Sequence, residues 1–325
     1  MKEKTIILED VIMVKGLPCT AGSKMLENFI APFDSCAAEK LKNAKYQIET
    51  CAPPEFGIIS GNGPKGVVDA MLPNRSRYVL SNDFWGNVRE QALEYDFAYL
   101  YPSYGRVSRY GLVSSLSSME QIGISAEKPE DTFKLLEIIA GYDERDGMSL
   151  PNADYRFADK KKKIKIGKFE SSLPLRGTFL ILAAAEFANN VSRYDGVDFG
   201  YRAKNYKNIN HLYVKSRTEG FGFDAKLYAI LGNIVLSQEY YQKYYDKAMR
   251  VRRLIKNELE KALMECDIAE ITVPENDLSK LEYLRLSPLT GCPSLTFVKN
   301  GVPTVAFAKH MDENALYAYA AEVNG

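Results

Sequence analysis

Three residues in this 325-residue chain have side chains suited to breaking bonds: a carboxylate, a hydroxyl and an amine. Glu9 closes an apolar run and has the chemistry of a general base. Ser60 and Lys65 share a glycine-rich stretch with Gly61, Gly63 and Gly66. A serine there suits nucleophilic attack, and a lysine there suits proton transfer once it is neutral. Neutralising Lys65 requires burial, which a Gly/Pro loop does not promise. Each residue also has a plainer structural role, and that role is the stronger expectation. Glu9 reads as a solvated or ion-paired strand end, Ser60 as a turn residue and Lys65 as a surface charge.

Other chemistry finds little support. The two histidines, His211 and His310, lie far apart and in no ligand pattern, so a zinc site is not expected, nor is any other cofactor. Cys19, Cys36, Cys51, Cys266 and Cys292 are scattered and odd in number, which reads as free thiols in a reducing compartment. The chain holds 42 basic and 42 acidic residues, so its formal net charge is zero. A balanced chain carries no global footprint for nucleic acid or an anionic membrane. The lysine run from Lys160 to Lys163 reads as a solvated segment rather than a phosphate site. No stretch approaches the roughly 20 apolar residues of a membrane span, and the start lacks signal-peptide character. A cytoplasmic protein is expected.

The elements that must position these residues alternate between strand and helix patterns, which predicts an α/β fold. Thr5 to Leu8, Tyr46 to Thr50, Tyr78 to Leu80, Phe97 to Leu100, Ile268 to Val273 and Leu295 to Val298 read as strands. Ser35 to Asn43 reads as a helix capped by Asp34, and Pro129 to Ile139 as one stopped by Gly141. Thr178 to Asn189 reads as an Ala-rich helix with Thr178 as its cap. Ser237 to Met264 reads as one long amphipathic helix, with Tyr241, Tyr245, Ala248, Val251, Leu254 and Leu259 among its less polar positions. With 46% hydrophobic residues, the chain can bury a large core, and a single domain over residues 1–325 is expected.

Several blocks carry a resemblance. Lys15-Gly16 followed by Thr20-Ala21-Gly22-Ser23-Lys24-Met25-Leu26-Glu27-Asn28-Phe29 is one. Pro102-Ser103-Tyr104-Gly105-Arg106-Val107-Ser108-Arg109-Tyr110-Gly111-Leu112, with Ser117-Ser118-Met119-Glu120-Gln121-Ile122-Gly123, is a second. Arg193-Tyr194-Asp195-Gly196-Val197 and Phe199-Gly200-Tyr201-Arg202 form a third. In this order the blocks resemble the amidase signature family, and most closely its tRNA-dependent amidotransferase A subunits. The resemblance implies a mixed β-sheet core surrounded by helices.

It also implies an active site built on a Ser–cis-Ser–Lys triad, with backbone N–H groups beside the nucleophile stabilising the oxyanion. The lysine position of the family's I-x-I-K-D motif falls on Glu9 in Ile6-Ile7-Leu8-Glu9-Asp10. The nucleophile position falls on Asn87 in Asp83-Phe84-Trp85-Gly86-Asn87-Val88-Arg89, with Trp85 at an oxyanion-loop glycine. The bridging serine falls on Ile59, with Ser60 as the second serine, or on Gly63 in an alternative register. The arginines of the family's G-F-G-x-E-V-K-R-R-I run are replaced by Leu227 and Tyr228. Tyr201 and Tyr228 are candidate substrate-pocket residues.

Three readings follow. The first is a pseudoenzyme that keeps the fold as a scaffold, regulatory subunit or binder. The second is an amide hydrolase rewired around Glu9, Ser60 or Lys65. The third is a tRNA-linked complex subunit without its own amidase step, with Lys243, Lys247, Arg250, Arg252, Arg253 and Lys256 offering a face to an acidic partner or RNA; the partner expected is a protein in an amidotransferase-like complex or a second copy in a homo-oligomer. Such a face is more often solvated.

Overall fold

The computed structural model describes residues 4–58, 78–156, 163–272 and 278–323. Its strands are β1 (Lys4–Glu9), β2 (Tyr46–Cys51), β3 (Tyr78–Asn82), β4 (Ala98–Tyr101), β5 (Ile122–Ala126), β6 (Ile166–Lys168), β7 (Ile268–Thr272), β8 (Ser294–Lys299) and β9 (Val302–Phe307). Its helices are α1 (Cys36–Asn43), α2 (Asn87–Glu94), α3 (Pro129–Ile139), α4 (Leu175–Asn190), α5 (Ile209–Gly220), α6 (Phe223–Leu236), α7 (Lys247–Glu265), α8 (Leu286–Thr290) and α9 (Glu313–Val323). The strands make one sheet in the order β2-β1-β3-β5-β4-β8-β9-β7-β6. It is mixed: β1 runs parallel to β2 and β3, β6 runs parallel to β7, and the other pairs are antiparallel.

Strand alternation divides the core between the two faces of the sheet. Ile6 and Leu8 of β1 enter the large cluster, while Ile7 enters a smaller one with Val79, Tyr99 and Tyr101 under Val88 and Ala92 of α2. Glu9 shares the parity of Ile7. Gly123 in β5 makes room for a ring: a Cβ there would stand 2.2 Å from the Tyr99 hydroxyl.

Three expectations about the helices need correction. The cap of α1 is Ser35, whose Oγ accepts from the Ala38 N–H at 3.2 Å. Asp34 instead accepts from the Lys15 N–H and from Lys42. Helix α4 starts before Thr178, directly after Pro174, and the Thr178 hydroxyl donates to the Pro174 carbonyl. Residues 237–264 are not one α-helix, because Ser237 is extended and Tyr241–Asp246 forms a π-turn before α7. The wider π-turn changes the phase of the apolar face. Ala248, Ile255, Leu259 and Leu263 are therefore buried, while Tyr241 and Leu254 are exposed.

The Arg106–Gly111 block ties the fold together. Arg106 forms a buried ion pair with Glu313 at 2.7 Å and also donates to the carbonyls of Asp154 and Met311. Ser108 donates to Asp143 at 2.7 Å, and Arg109 pairs with Asp146 at 2.9 Å. Three of the basic side chains of α7 also have partners within the chain. Arg252 turns inward to the Leu289 carbonyl and the Ser118 hydroxyl, Arg250 pairs with Asp246, and Lys256 lies near Glu260.

Candidate functional site

The end of β1, the turn between β3 and α2, and the inner side of α6 meet at one place. Glu9 is 3% exposed, so it is not the solvated strand end expected, and among the described residues no cation pairs with it. Its Oε2 accepts the Asn82 N–H at 2.7 Å. Burial raises the Glu9 carboxyl to about 8, aided by the nearby charges of Asp83 and Asp10 and opposed by the Asn82 hydrogen bond. The site therefore holds a neutral carboxylic acid near pH 7. The neighbouring Asp10 turns the other way, and its Oδ2 accepts the Thr20 N–H at 3.0 Å and the Thr20 hydroxyl at 2.5 Å.

Asp83 builds the start of α2. Its Oδ1 accepts the N–H groups of Gly86 and Val88, and its Oδ2 accepts the Arg89 N–H and Nε. Gly86 caps the helix with φ 102°, in the left-handed region that glycine adopts without strain. A Cβ at Gly86 would also stand 3.1 Å from the Leu284 Cβ. Arg89 is fully buried, pairs with Asp83 at 2.9 Å and also bonds the Asp83 and Leu284 carbonyls. This frame presents Asn87, half-buried, as the first residue of α2.

Trp85 fills the space beside that turn. It is buried, edge-on to Phe179 of α4 at 5.1 Å and to Tyr228 of α6 at 5.2 Å. The Arg285 guanidinium lies 5.8 Å from the Trp85 ring and 5.6 Å from that of Phe179. Burial pushes the Tyr228 hydroxyl above its ordinary value. Among the described residues the Trp85 Nε1 has no hydrogen-bond partner. Trp85, Phe179 and Tyr228 thus form an aromatic plug over the start of α2, where the buried indole excludes water.

Glu9, Asn87 and Tyr228 belong to this region, but Tyr201 does not. The Tyr201 hydroxyl donates to Glu219 at 2.8 Å, and the Lys24 ammonium stands 4.3 Å from its ring. Tyr201 lines a separate cavity of about 950 Å³ with Met25, Phe29, Arg193, Phe199 and Arg202. None of Glu9, Trp85, Asn87 and Tyr228 lines that cavity. Ile59, Ser60, Gly63 and Lys65 lie outside the described residues, as does Asp159 to Lys162 of the lysine segment. His211 Nδ1 accepts the Lys207 N–H, and His310 Nε2 meets the Tyr104 carbonyl at 2.9 Å, so both serve local structure. Sequence reasoning missed Phe179, Arg285 and the buried Asp83–Arg89 pair. Only the pair left a signal, as an acid and a base six residues apart in one short motif.

The amidase family profile matches residues 100–176 and 168–321. The A subunit of the glutamyl-tRNA(Gln) amidotransferase of Trichodesmium erythraeum is 31% identical over 382 aligned residues, covering 96% of this chain and 78% of its own. The protein of the same name from Wolinella succinogenes is 32% identical, covering 81% and 71%. Among solved structures, the A subunit of the Thermotoga maritima glutamyl-tRNA(Gln) amidotransferase superposes with a TM-score of 0.64 at 21% identity, covering 100% of this chain and 85% of its own. The peptide amidase of Stenotrophomonas maltophilia gives 0.72 at 16% identity, covering 99% and 83%. The chain belongs to the amidase signature family and is related to the amidotransferase A subunits within it.

Proposed function

We propose that this protein is a catalytically inactive amidase-family member, one domain over residues 1–325, that serves in the cytoplasm as a scaffold, regulatory or binding subunit. One observation carries the reading. The frame that would aim a nucleophile is kept, with Asp83, Gly86 and Arg89 all engaged, yet it presents the Asn87 carboxamide beside a buried Trp85. A carboxamide has no hydroxyl with which to form an acyl ester. Glu9 gives the same support, because a carboxylic acid cannot supply the lysine-type relay that the family resemblance implies. The kinship to amidotransferase A subunits favours a protein partner.

A rewired amide hydrolase is the second reading. It rests on the raised Glu9 carboxyl, which is suited to acid–base work near neutral pH. The burial of Glu9 under the β3–α2 turn weighs against it. The test is hydrolysis of glutamine, asparagine and simple amides by the pure protein, beside the double variant Glu9→Lys, Asn87→Ser. The expected result is no turnover by the wild type above background. Turnover that disappears in Glu9→Ala or Ser60→Ala would overturn the inactive reading in favour of the second.

A further inference from the structure

Helix α6 is built inside out. The side it turns to the protein is mostly small: Ala225, Ala229 and Gly232 are buried, with Tyr228 the one large residue that leans in. Gly232 sits so close to α4 that a Cβ there would stand 2.0 Å from the Ala184 carbonyl oxygen. The large apolar side chains face away. Phe223, Leu227, Ile230, Leu231 and Ile234 are exposed by between 40% and 78%. A solitary surface helix has the opposite arrangement.

The spacing of the outward residues is informative. Residues 223, 227, 230 and 234 step by four, three and four, which is the seam of a helix packed along another helix. The seam carries no charge. Lys226 bends back to the Thr218 carbonyl at 3.0 Å, and Asp224 is half-buried. Five side chains of about 150–200 Å² each, about half exposed, offer about 450 Å² per chain, or about 900 Å² in a pair, the size of a weak and reversible contact.

We propose that α6 is the contact of a symmetric homodimer, packed antiparallel on α6 of a second copy about a two-fold axis near Ile230. An isologous contact needs a patch complementary to itself. This stripe meets that need, because its apolar residues spread over both halves of the helix around Ile230. Phe223 then lies on the far end of the second copy's helix, by Ile234. A dedicated partner is ordinarily selected by flanking charges, and the charged residues of α6 are confined to its first turn, where Lys226 is held by the Thr218 carbonyl and Asp224 is half-buried. The formal net charge of zero also removes long-range repulsion between copies. The inference stands apart from the question of catalytic activity.

The test is sedimentation velocity with light scattering from about 1 to 100 μM. The wild type is expected to weigh twice the monomer. Leu227→Asp with Ile230→Asp, both at exposed positions, is expected to keep the wild-type circular dichroism and raise the dimer dissociation constant about 100-fold or more. Ile230→Cys, in a Cys51→Ser, Cys266→Ser background, is expected to oxidise to a disulfide-linked dimer. A wild type that is monomeric throughout overturns the proposal, whether or not it floats with phosphatidylcholine vesicles or needs another protein on this face. So does a dimer that survives both aspartates.

Discussion

Replacing Glu9 by glutamine tests the electrostatics of the site directly. Glutamine keeps an acceptor for the Asn82 N–H, which Glu9 now engages at 2.7 Å, and removes only the titration. The folded carboxyl sits at about 8 against an ordinary 4.5. A raised folded value means that the native state holds the proton more tightly than the unfolded chain. The contribution is then full below about 4.5 and is lost as pH rises toward 8. With about 1.36 kcal/mol per pH unit for one proton, the wild type loses roughly 3–4 kcal/mol relative to Glu9→Gln between pH 5 and pH 8. For a chain of this length that corresponds to about 5 °C in melting temperature. Paired thermal melts of the two proteins across this range measure it, since groups common to both cancel in the difference. Curves that run parallel from pH 5 to pH 8 would refute the reasoning, because Glu9 would then titrate alike in both states.

Two further substitutions probe the frame around that site. Trp85→Ala empties the slot between Phe179 and Tyr228 and is expected to cost about 3–5 kcal/mol, whereas Trp85→Phe keeps an edge-on ring, drops the unpartnered N–H and is expected to cost under about 1.5 kcal/mol. Urea unfolding of the pair decides, and equal losses would deny the plug its role. Arg106→Ala strands Glu313, fully buried, without its cation and is expected to cost about 3–5 kcal/mol in the same assay, and a loss below about 1 kcal/mol would show that Glu313 is otherwise satisfied.

The elements legible in the sequence were those with strong local signals. Helix α3 matches its expectation from Pro129 to Ile139 because proline, apolar spacing and a following glycine agree. The strands β1 and β2 are close to expectation for the same kind of reason. Errors gathered where local codes compete. Asp34 and Ser35 are both good caps, and the choice went to Ser35 because Asp34 is held by Lys15 and Lys42. Ser237 is no strong breaker, and nothing in its neighbours announces a π-turn. Helices α5 and α6 gave no clear amphipathic signal, and in α6 the reason is physical: its apolar residues lie on both sides.

The residue types at the site, and the family they resemble, are properties of the chain alone. Glu9 and Asn87 stand where local motifs put them, because a strand end and a helix start are set by near neighbours. What each side chain became depended on distant ones. Glu9 is a neutral acid only because β3 and the following turn shut out water, and no local sequence encodes that desolvation. Trp85 is a plug only because α4 and α6, distant in the chain, bring Phe179 and Tyr228 against it. Tyr201 and Tyr228, both read as pocket residues, were parted by the fold: one faces the Met25 cavity and the other the Trp85 ring. Spacing along a chain sets which residues share an element, but burial and contact are decided by how elements pack.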